Sequence, residues 1–149
     1  MREINRTIVG ALIVDTEGRV LLGQKDPGKG GVYKECWHAP GGGVEEGESQ
    51  TQALARELQE EVGLDLSLTT YSLLDDTGTG SSEKKLPSGE TVLVHMRFYM
   101  YEVVIPRNLK ESVSPVEEFV RLNWFEKPQL TELNLTPPGR ALFKKLGWI

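Results

Sequence analysis

The sequence has few of the residues that mark secreted, zinc-binding or nucleic-acid-binding proteins. Its 149 residues include one cysteine, Cys36, and two histidines, His38 and His95. One cysteine cannot form an intramolecular disulfide, and these three residues do not supply a structural zinc site, so a reducing compartment is favoured. The 17 lysines and arginines are outnumbered by 22 acidic residues, which gives a net charge of −5. That sign disfavours binding to nucleic-acid polymers.

Long hydrophobic runs and internal repeats are also missing. The apolar stretch over residues 8–14 is too short to span a bilayer, and no signal-peptide cleavage site follows it. Hydrophobic residues make up 38% of the chain, which is enough for one core. We therefore expect one cytoplasmic domain over residues 1–149 without a membrane partner. A homodimer is left open.

Residue patterns predict a mixed β-sheet covered by helices. Strands are predicted over residues 7–14 and 19–23, which form a hairpin, and over 66–74, 91–105 and 119–125. Helices are predicted over 49–63 and 138–146, and polar loops over 26–31, 40–43 and 75–90. No regular βαβ repeat is present, so an α/β fold with a mixed sheet is favoured over a doubly wound parallel one.

The predicted strand 91–105 has two different faces. Alternate residues from Val92 to Met100 are apolar and are expected to pack against a helix. The opposite face carries His95, Arg97 and Tyr99, which can line a polar pocket. Arg97 and Tyr99 are therefore candidate ligand contacts, and Arg97 as a solvated edge charge is the alternative.

The helix predicted over residues 49–63 carries three acids on one side. Ser49 is its expected N-cap, and Gly63 its expected end. At about 100° per residue, Glu57, Glu60 and Glu61 fall within an arc of about 100°. Like charges so placed destabilise a bare helix and invite a cation, and oxygen ligands favour magnesium or manganese. The alternative is the solvated face of an amphipathic helix.

The spacing of the acids belongs to a longer pattern over residues 42–64. It consists of glycine, five residues, glutamate, seven residues, and then Arg-Glu-apolar-x-Glu-Glu-x-Gly-apolar. The fixed residues are Gly42, Glu48, Arg56, Glu57, Glu60, Glu61 and Gly63, with Leu58 and Leu64 in the apolar positions. Chance coincidence has a probability of roughly one in 10⁸ per starting position at average residue usage. The pattern is the Nudix box, and the chain resembles the MutT-like Nudix hydrolase family.

The resemblance implies an α/β/α sandwich with a mixed sheet between helices, and Mg²⁺- or Mn²⁺-dependent hydrolysis of a nucleoside diphosphate linked to another group. Glu57 and Glu61 match the principal metal ligands of the family. Glu60 matches a third glutamate, which binds a second ion or helps to deprotonate water. A carbonyl of Gly41 or its neighbour matches a backbone metal ligand. Arg56 matches the arginine that holds a helix glutamate in position.

Residues outside the box give a looser resemblance to the bacterial nucleoside triphosphatases of the family. It ranks a nucleoside triphosphate, hydrolysed to monophosphate and pyrophosphate, above ADP-ribose or a nucleotide sugar, while a nucleotide sensor without turnover stays an alternative. It also suggests Glu118, six residues before Trp124, as a further catalytic acid, with Glu117 as its competitor; the alternative is that both are solvated loop acids. Trp37 is a candidate for stacking on a base, and core packing is its alternative.

Overall fold

The fold is known from a computed structural model, which describes residues 1–29, 33, 35–117 and 119–149. The helices are α1, Gln50–Val62, and α2, Pro137–Lys145. The strands are β1, Arg2–Val14; β2, Val20–Lys25; β3, Gly41–Gly43; β4, Thr70–Lys85; β5, Thr91–Val104; and β6, Phe119–Phe125. Short 3-10 helices span Pro27–Lys29, Leu66–Leu68, Arg107–Ser112 and Lys127–Glu132. In the part of the chain so described, no helix combines the length and apolar character that crossing a membrane requires.

One mixed sheet organises these elements, as the sequence predicts. Its strand order is β4-β5-β1-β2-β6. The central strand β1 runs parallel to β5 along its whole length, from the pair of Arg2 and Val92 to the pair of Val14 and Val104. The other edge of β1 pairs in the antiparallel sense with β3 and then with β2. The three consecutive glycines of β3 thus join the middle of the sheet.

The two faces of the sheet carry two hydrophobic cores. Val9, Ala11 and Ile13 of β1 lie on one face and pack with Leu54 and the other apolar side chains of α1. Alternate residues of the same strand, such as Leu12, lie on the other face and pack with Phe143 of α2. Because side chains of a strand alternate between its faces, a continuous apolar run is what a strand buried on both faces needs. The predicted α/β/α sandwich is confirmed.

The predicted loop over residues 75–90 is wrong. Strand β4 continues to Lys85, and its pairing with β5 ends at the pair of Lys85 and Thr91. Gly78 and Gly80 made this segment look like a loop, but both lie against the side chain of Phe98 on β5, with nearest atoms 3.4 and 3.3 Å from where a Cβ would stand. The regular neighbour β5 satisfies the backbone of a segment whose own side chains do not predict a strand.

Two smaller predictions also need correction. Residues 66–68, predicted as the start of a strand, form a 3-10 helix capped by Asp65, which accepts a hydrogen bond from the Ser67 backbone at 3.0 Å. Residues 41–43, predicted as a loop, form β3. In the first segment the local cap by Asp65 outweighs the apolar pattern that suggested a strand. In the second, pairing with β1 outweighs the local preference of glycine for turns. The predicted loop 26–31 falls partly outside the described residues.

Candidate functional site

Helix α1 begins and ends as its sequence predicts. The Ser49 hydroxyl accepts a hydrogen bond from the Gln52 backbone at 3.1 Å, and the Gln52 side chain accepts one from the Ser49 backbone at 2.9 Å. Gly63 ends the helix with a φ of 68°, which glycine adopts without steric cost. These local signals set the limits of α1, and the packing of its apolar side chains, among them Leu54 and Leu58, against the sheet sets the direction in which its glutamates point.

Glycines of β3 let the α1 carboxylates approach the backbone. A Cβ atom on Gly42 would collide with the carboxylate of Glu57, and one on Gly41 would collide with the carbonyl of Val9. Any larger residue at these positions would push β3 away from α1 or from β1. Gly41 and Gly42 therefore allow a carboxylate and the two strand backbones to come into contact.

Glu61 is a buried acid at the same place. It is only 4% exposed, and its Oε1 accepts a hydrogen bond from the Gly41 backbone at 2.8 Å. Burial, reinforced by the nearby Glu57 carboxylate, raises the pKa of Glu61 to about 8, although the Gly41 hydrogen bond and Lys25 act in the opposite direction. When the neighbouring carboxylates of Glu57 and Glu61 are both ionised, they repel each other. A proton or a cation relieves this cost in free energy.

Arg56 organises the opposite side of the site. Its guanidinium donates to both carboxylate oxygens of Glu48, at 2.8 and 2.9 Å, and to the Gly43 carbonyl at 3.0 Å. It also donates to Glu57 at 3.0 Å and to Glu60 at 3.3 Å. The hydrogen bonds from Arg56 lower the pKa of Glu48 to about 2. Arg56 therefore ties the loop to the helix and fixes Glu57, which a planar guanidinium does better than lysine.

These residues fit a hard divalent cation whose coordination is completed from outside the protein. Glu57 and Glu61 place carboxylate oxygens at the backbone of β3, and Arg56 donates a hydrogen bond both to Glu57 and to Glu60. Within the described ranges, no group of three or more Asp, Glu, His or Cys side chains is placed to hold an ion. Magnesium typically takes one or two protein carboxylates and fills its remaining positions with water and substrate phosphates. Two carboxylates beside a strand backbone suit that mode.

A polar cleft of about 650 Å³ opens over strands β1, β4 and β5. Arg97 and Tyr99 both line it, as their side of the predicted strand suggests. The Arg97 guanidinium lies 5.0 Å from the centre of the Tyr99 ring and donates to the Asp76 carbonyl at 3.2 Å. Thr7, another lining residue, accepts a backbone hydrogen bond from Val44 at 2.9 Å, so the cleft borders the loop between β3 and α1.

Some of the predicted residues lie elsewhere. Trp37 is half-buried and packs edge-on against Phe125, with ring centres 4.8 Å apart, on the α2 side of the sheet. It is not among the residues lining the cleft in the described chain. Glu118 lies outside the described residues. Its neighbour Glu117 is exposed and has a φ of 53°.

Several residues of the site have no counterpart among the sequence predictions. Arg6 and its two polar neighbours on β1 are consecutive in the sequence, so no alternation of polar and apolar residues marks them as one face of a strand. Thr79 and Ser81 were hidden because their segment was predicted as a loop. The lining residues missed in this way are Asn5, Arg6, Thr7, Thr79, Gly80 and Ser81.

Comparison with known proteins extends the resemblance from residues 42–64 to nearly the whole chain. A family model described as NUDIX domain matches residues 4–146. Proteins named nucleoside triphosphatase NudI, from Enterobacter sp. (strain 638) and Klebsiella pneumoniae (strain 342), are 30% and 32% identical over 145 residues, which is 95% of this chain and 96% of each relative. The solved E. coli dihydroneopterin triphosphate pyrophosphohydrolase superposes with a TM-score of 0.69 at 21% identity, over 93% of this chain and 92% of that one. That structure shows a shared fold.

Proposed function

Because the chain belongs to the Nudix hydrolase family, we propose that it hydrolyses a nucleoside triphosphate to a nucleoside monophosphate and pyrophosphate. Both full-length relatives described above are named nucleoside triphosphatases. The family uses divalent metal ions, and the ion proposed here is magnesium, with manganese as its substitute. The substrate is a free nucleotide in the cytoplasm.

The observation that carries this proposal is the pairing of Glu57 with buried Glu61 against the glycine strand. A carboxylate that is 4% exposed and lies beside a second carboxylate is costly to ionise, and a cation bound between them offsets that cost. A polyphosphate substrate is itself an oxygen ligand for such an ion. The same arrangement therefore accounts for metal binding and for the choice of a phosphate-rich substrate.

Each acidic residue has a distinct part in the proposed reaction. Glu57 and Glu61, with a carbonyl of Gly41 or Gly42, would hold the metal. When bound, the metal neutralises phosphate charge and lowers the pKa of water. Glu60 is the proposed general base, because its carboxylate is 39% exposed and can accept a proton from a water molecule. Arg56 would keep Glu57 in place through a hydrogen bond, and Glu60, which accepts another hydrogen bond from the same guanidinium group, lies partly in solvent.

The cleft beside the loop is the proposed nucleoside pocket. Arg97 and Tyr99 form a stacked pair on its wall, and a base can extend that stack. Arg97 retains N–H groups beyond the one donated to the Asp76 carbonyl, so it can also contact a base carbonyl or a phosphate.

The direct test is a substrate panel. Purified protein with magnesium is incubated with the common ribo- and deoxynucleoside triphosphates, nucleoside diphosphates, ADP-ribose and other nucleotide sugars, and the products are separated by chromatography. Monophosphate and pyrophosphate from a triphosphate are the expected products. Monophosphate and sugar phosphate formed from nucleotide sugars alone would contradict the proposal. Binding without turnover of any substrate would instead indicate a sensor.

A further inference from the structure

The side chain of Arg6 lies across the last glycine of β3. A Cβ atom on Gly43 would collide with the Arg6 guanidinium, so the two residues are in contact. Arg6 belongs to the central strand β1 and also lines the polar cleft. The Gly43 carbonyl, in turn, accepts a hydrogen bond from Arg56 at 3.0 Å. Arg6 thus occupies the boundary between the proposed nucleoside pocket and the acidic site.

The N–H groups of the Arg6 side chain have no hydrogen-bond acceptor among the described residues. A guanidinium has five such donors, yet no other residue of the described chain forms a hydrogen bond or an ion pair with the Arg6 side chain. The neighbouring arginines differ. Arg56 is bound to several carboxylates and to a carbonyl, and Arg97 donates to the Asp76 carbonyl at 3.2 Å. Arg6 is also half-buried, so its position is restricted by its neighbours.

Electrostatics favours an anionic partner for Arg6. The adjacent loop and helix place Glu48, Glu57 and Glu60 around Arg56. A polyphosphate entering this site meets acidic side chains, and a divalent cation offsets only part of their charge. An arginine with free donors at the boundary attracts the phosphate chain, and its planar fork matches two phosphate oxygens.

We propose that Arg6 binds a phosphate group of the substrate and that Gly43 is a glycine because this side chain must cross it. The inference rests on the proposed function, since it assumes a substrate with a polyphosphate chain. It adds a residue that lies outside the family pattern and that only the fold brings to the loop. In this arrangement Arg6 contacts the phosphate chain and Arg97 contacts the nucleoside.

The experiment uses three variants of the full chain. Arg6→Gln removes the charge, Arg6→Lys keeps the charge without the fork, and Gly43→Ala displaces the guanidinium without changing any charge. Arg2→Gln is the matched control, because Arg2 belongs to the same strand and pairs with exposed Glu90 at 2.9 Å. Calorimetry measures the binding of inorganic triphosphate in the presence of magnesium, steady-state kinetics give KM and kcat for the preferred nucleoside triphosphate, and thermal unfolding checks folding.

We expect Arg6→Gln to weaken triphosphate binding by about 10- to 100-fold, as the loss of charged hydrogen bonds implies. KM should rise by a similar factor, with a smaller fall in kcat. Arg6→Lys should lie between wild type and Arg6→Gln, Gly43→Ala should weaken binding several-fold, and Arg2→Gln should match wild type.

The outcomes separate this inference from the proposed function. Triphosphate binding by folded Arg6→Gln within twofold of wild type would overturn the inference, as would a rise in KM without weaker triphosphate binding. If Arg6→Gln fails to fold, wild-type binding by both Arg6→Lys and Gly43→Ala would overturn it. If wild type hydrolyses no nucleoside triphosphate but binds triphosphate through Arg6, the proposed function fails while the phosphate contact stands.

Discussion

Buried Glu61 should make the metal-free protein less stable as the pH rises. The pKa of this carboxyl is raised from 4.5 to about 8 in the folded protein, chiefly by burial. Between these two values the folded chain holds a proton that the unfolded chain has released, so the free energy of unfolding falls with increasing pH. The contribution of this group is fully present below pH 4.5 and is lost as the pH passes through about 8.

The size of the effect follows from proton linkage. One proton difference is worth about 1.4 kcal/mol per pH unit, so the whole window amounts to at most ~5 kcal/mol. For a chain of this length that corresponds to on the order of 10 °C in Tm. Other carboxyls change stability in the opposite direction. Hydrogen bonds from Arg56 lower the pKa of Glu48, for example. The contribution of Glu61 must therefore be isolated by substitution.

The substitution Glu61→Gln isolates the contribution of Glu61 to the pH dependence of stability. Glutamine resembles the protonated acid and keeps an oxygen for the Gly41 N–H, which lies 2.8 Å from Glu61. Denaturant unfolding in the presence of a chelator, from pH 5 to pH 9, should show the variant gaining stability over wild type as the pH rises. Glu60→Gln, on the more exposed flank of α1, should show no such gain. Added magnesium should stabilise wild type at pH 8 far more than Glu61→Gln. A constant stability difference between wild type and Glu61→Gln across this range would refute the reasoning.

Three further predictions concern turnover. Glu57→Gln should lower kcat by at least about a hundredfold at ordinary magnesium while the circular dichroism spectrum is unchanged, because an anionic ligand is lost but its shape is kept; near-normal activity at low magnesium would remove Glu57 from the metal site. Arg97→Ala should raise KM more than it lowers kcat in steady-state assays, because its contact is made in ground and transition states alike; unchanged kinetics would leave Arg97 as a solvated edge charge. Glu118→Gln should cut kcat by about ten- to a thousandfold and flatten the acid limb of the pH profile, while Glu117→Gln does little; the reverse pattern would move the role to Glu117.

What the sequence predicts well is what short-range chemistry decides. The limits of α1 follow from Ser49, Gln52 and Gly63, whose side chain or backbone freedom acts within one helical turn. The angles between the three glutamates follow from the rotation of about 100° per residue in an α-helix. The fixed spacing of the family pattern adds the contact between Arg56 and Glu48, eight residues apart. Such features need no knowledge of the remaining chain.

What the sequence does not predict depends on distant partners. Strand β4 exists because β5 offers a regular edge, and Gly78 acquires its packing from Phe98, which lies 20 residues further along the chain. The contact of Arg6 with Gly43 joins residues from two strands that only the sheet brings together. The pKa of Glu61 likewise reflects burial, which no local pattern reports. Acids on one helix face look alike in the sequence, but their environments in the fold differ widely.

That difference explains how one helix can supply acids for the separate roles proposed here. Glu60 remains partly in solvent beside Arg56, where water can reach its carboxylate. Glu61, one residue further on, is enclosed against the Gly41 backbone, where ionisation is costly unless a cation is present. A site built only from exposed acids would bind a divalent ion weakly, because water competes for every ligand. A site built only from buried acids would lack a base that water can reach. Strand β3 lies against the side of α1 that carries Glu61 and leaves Glu60 partly in solvent. A buried acid and a partly exposed acid are therefore adjacent within a single turn of the helix.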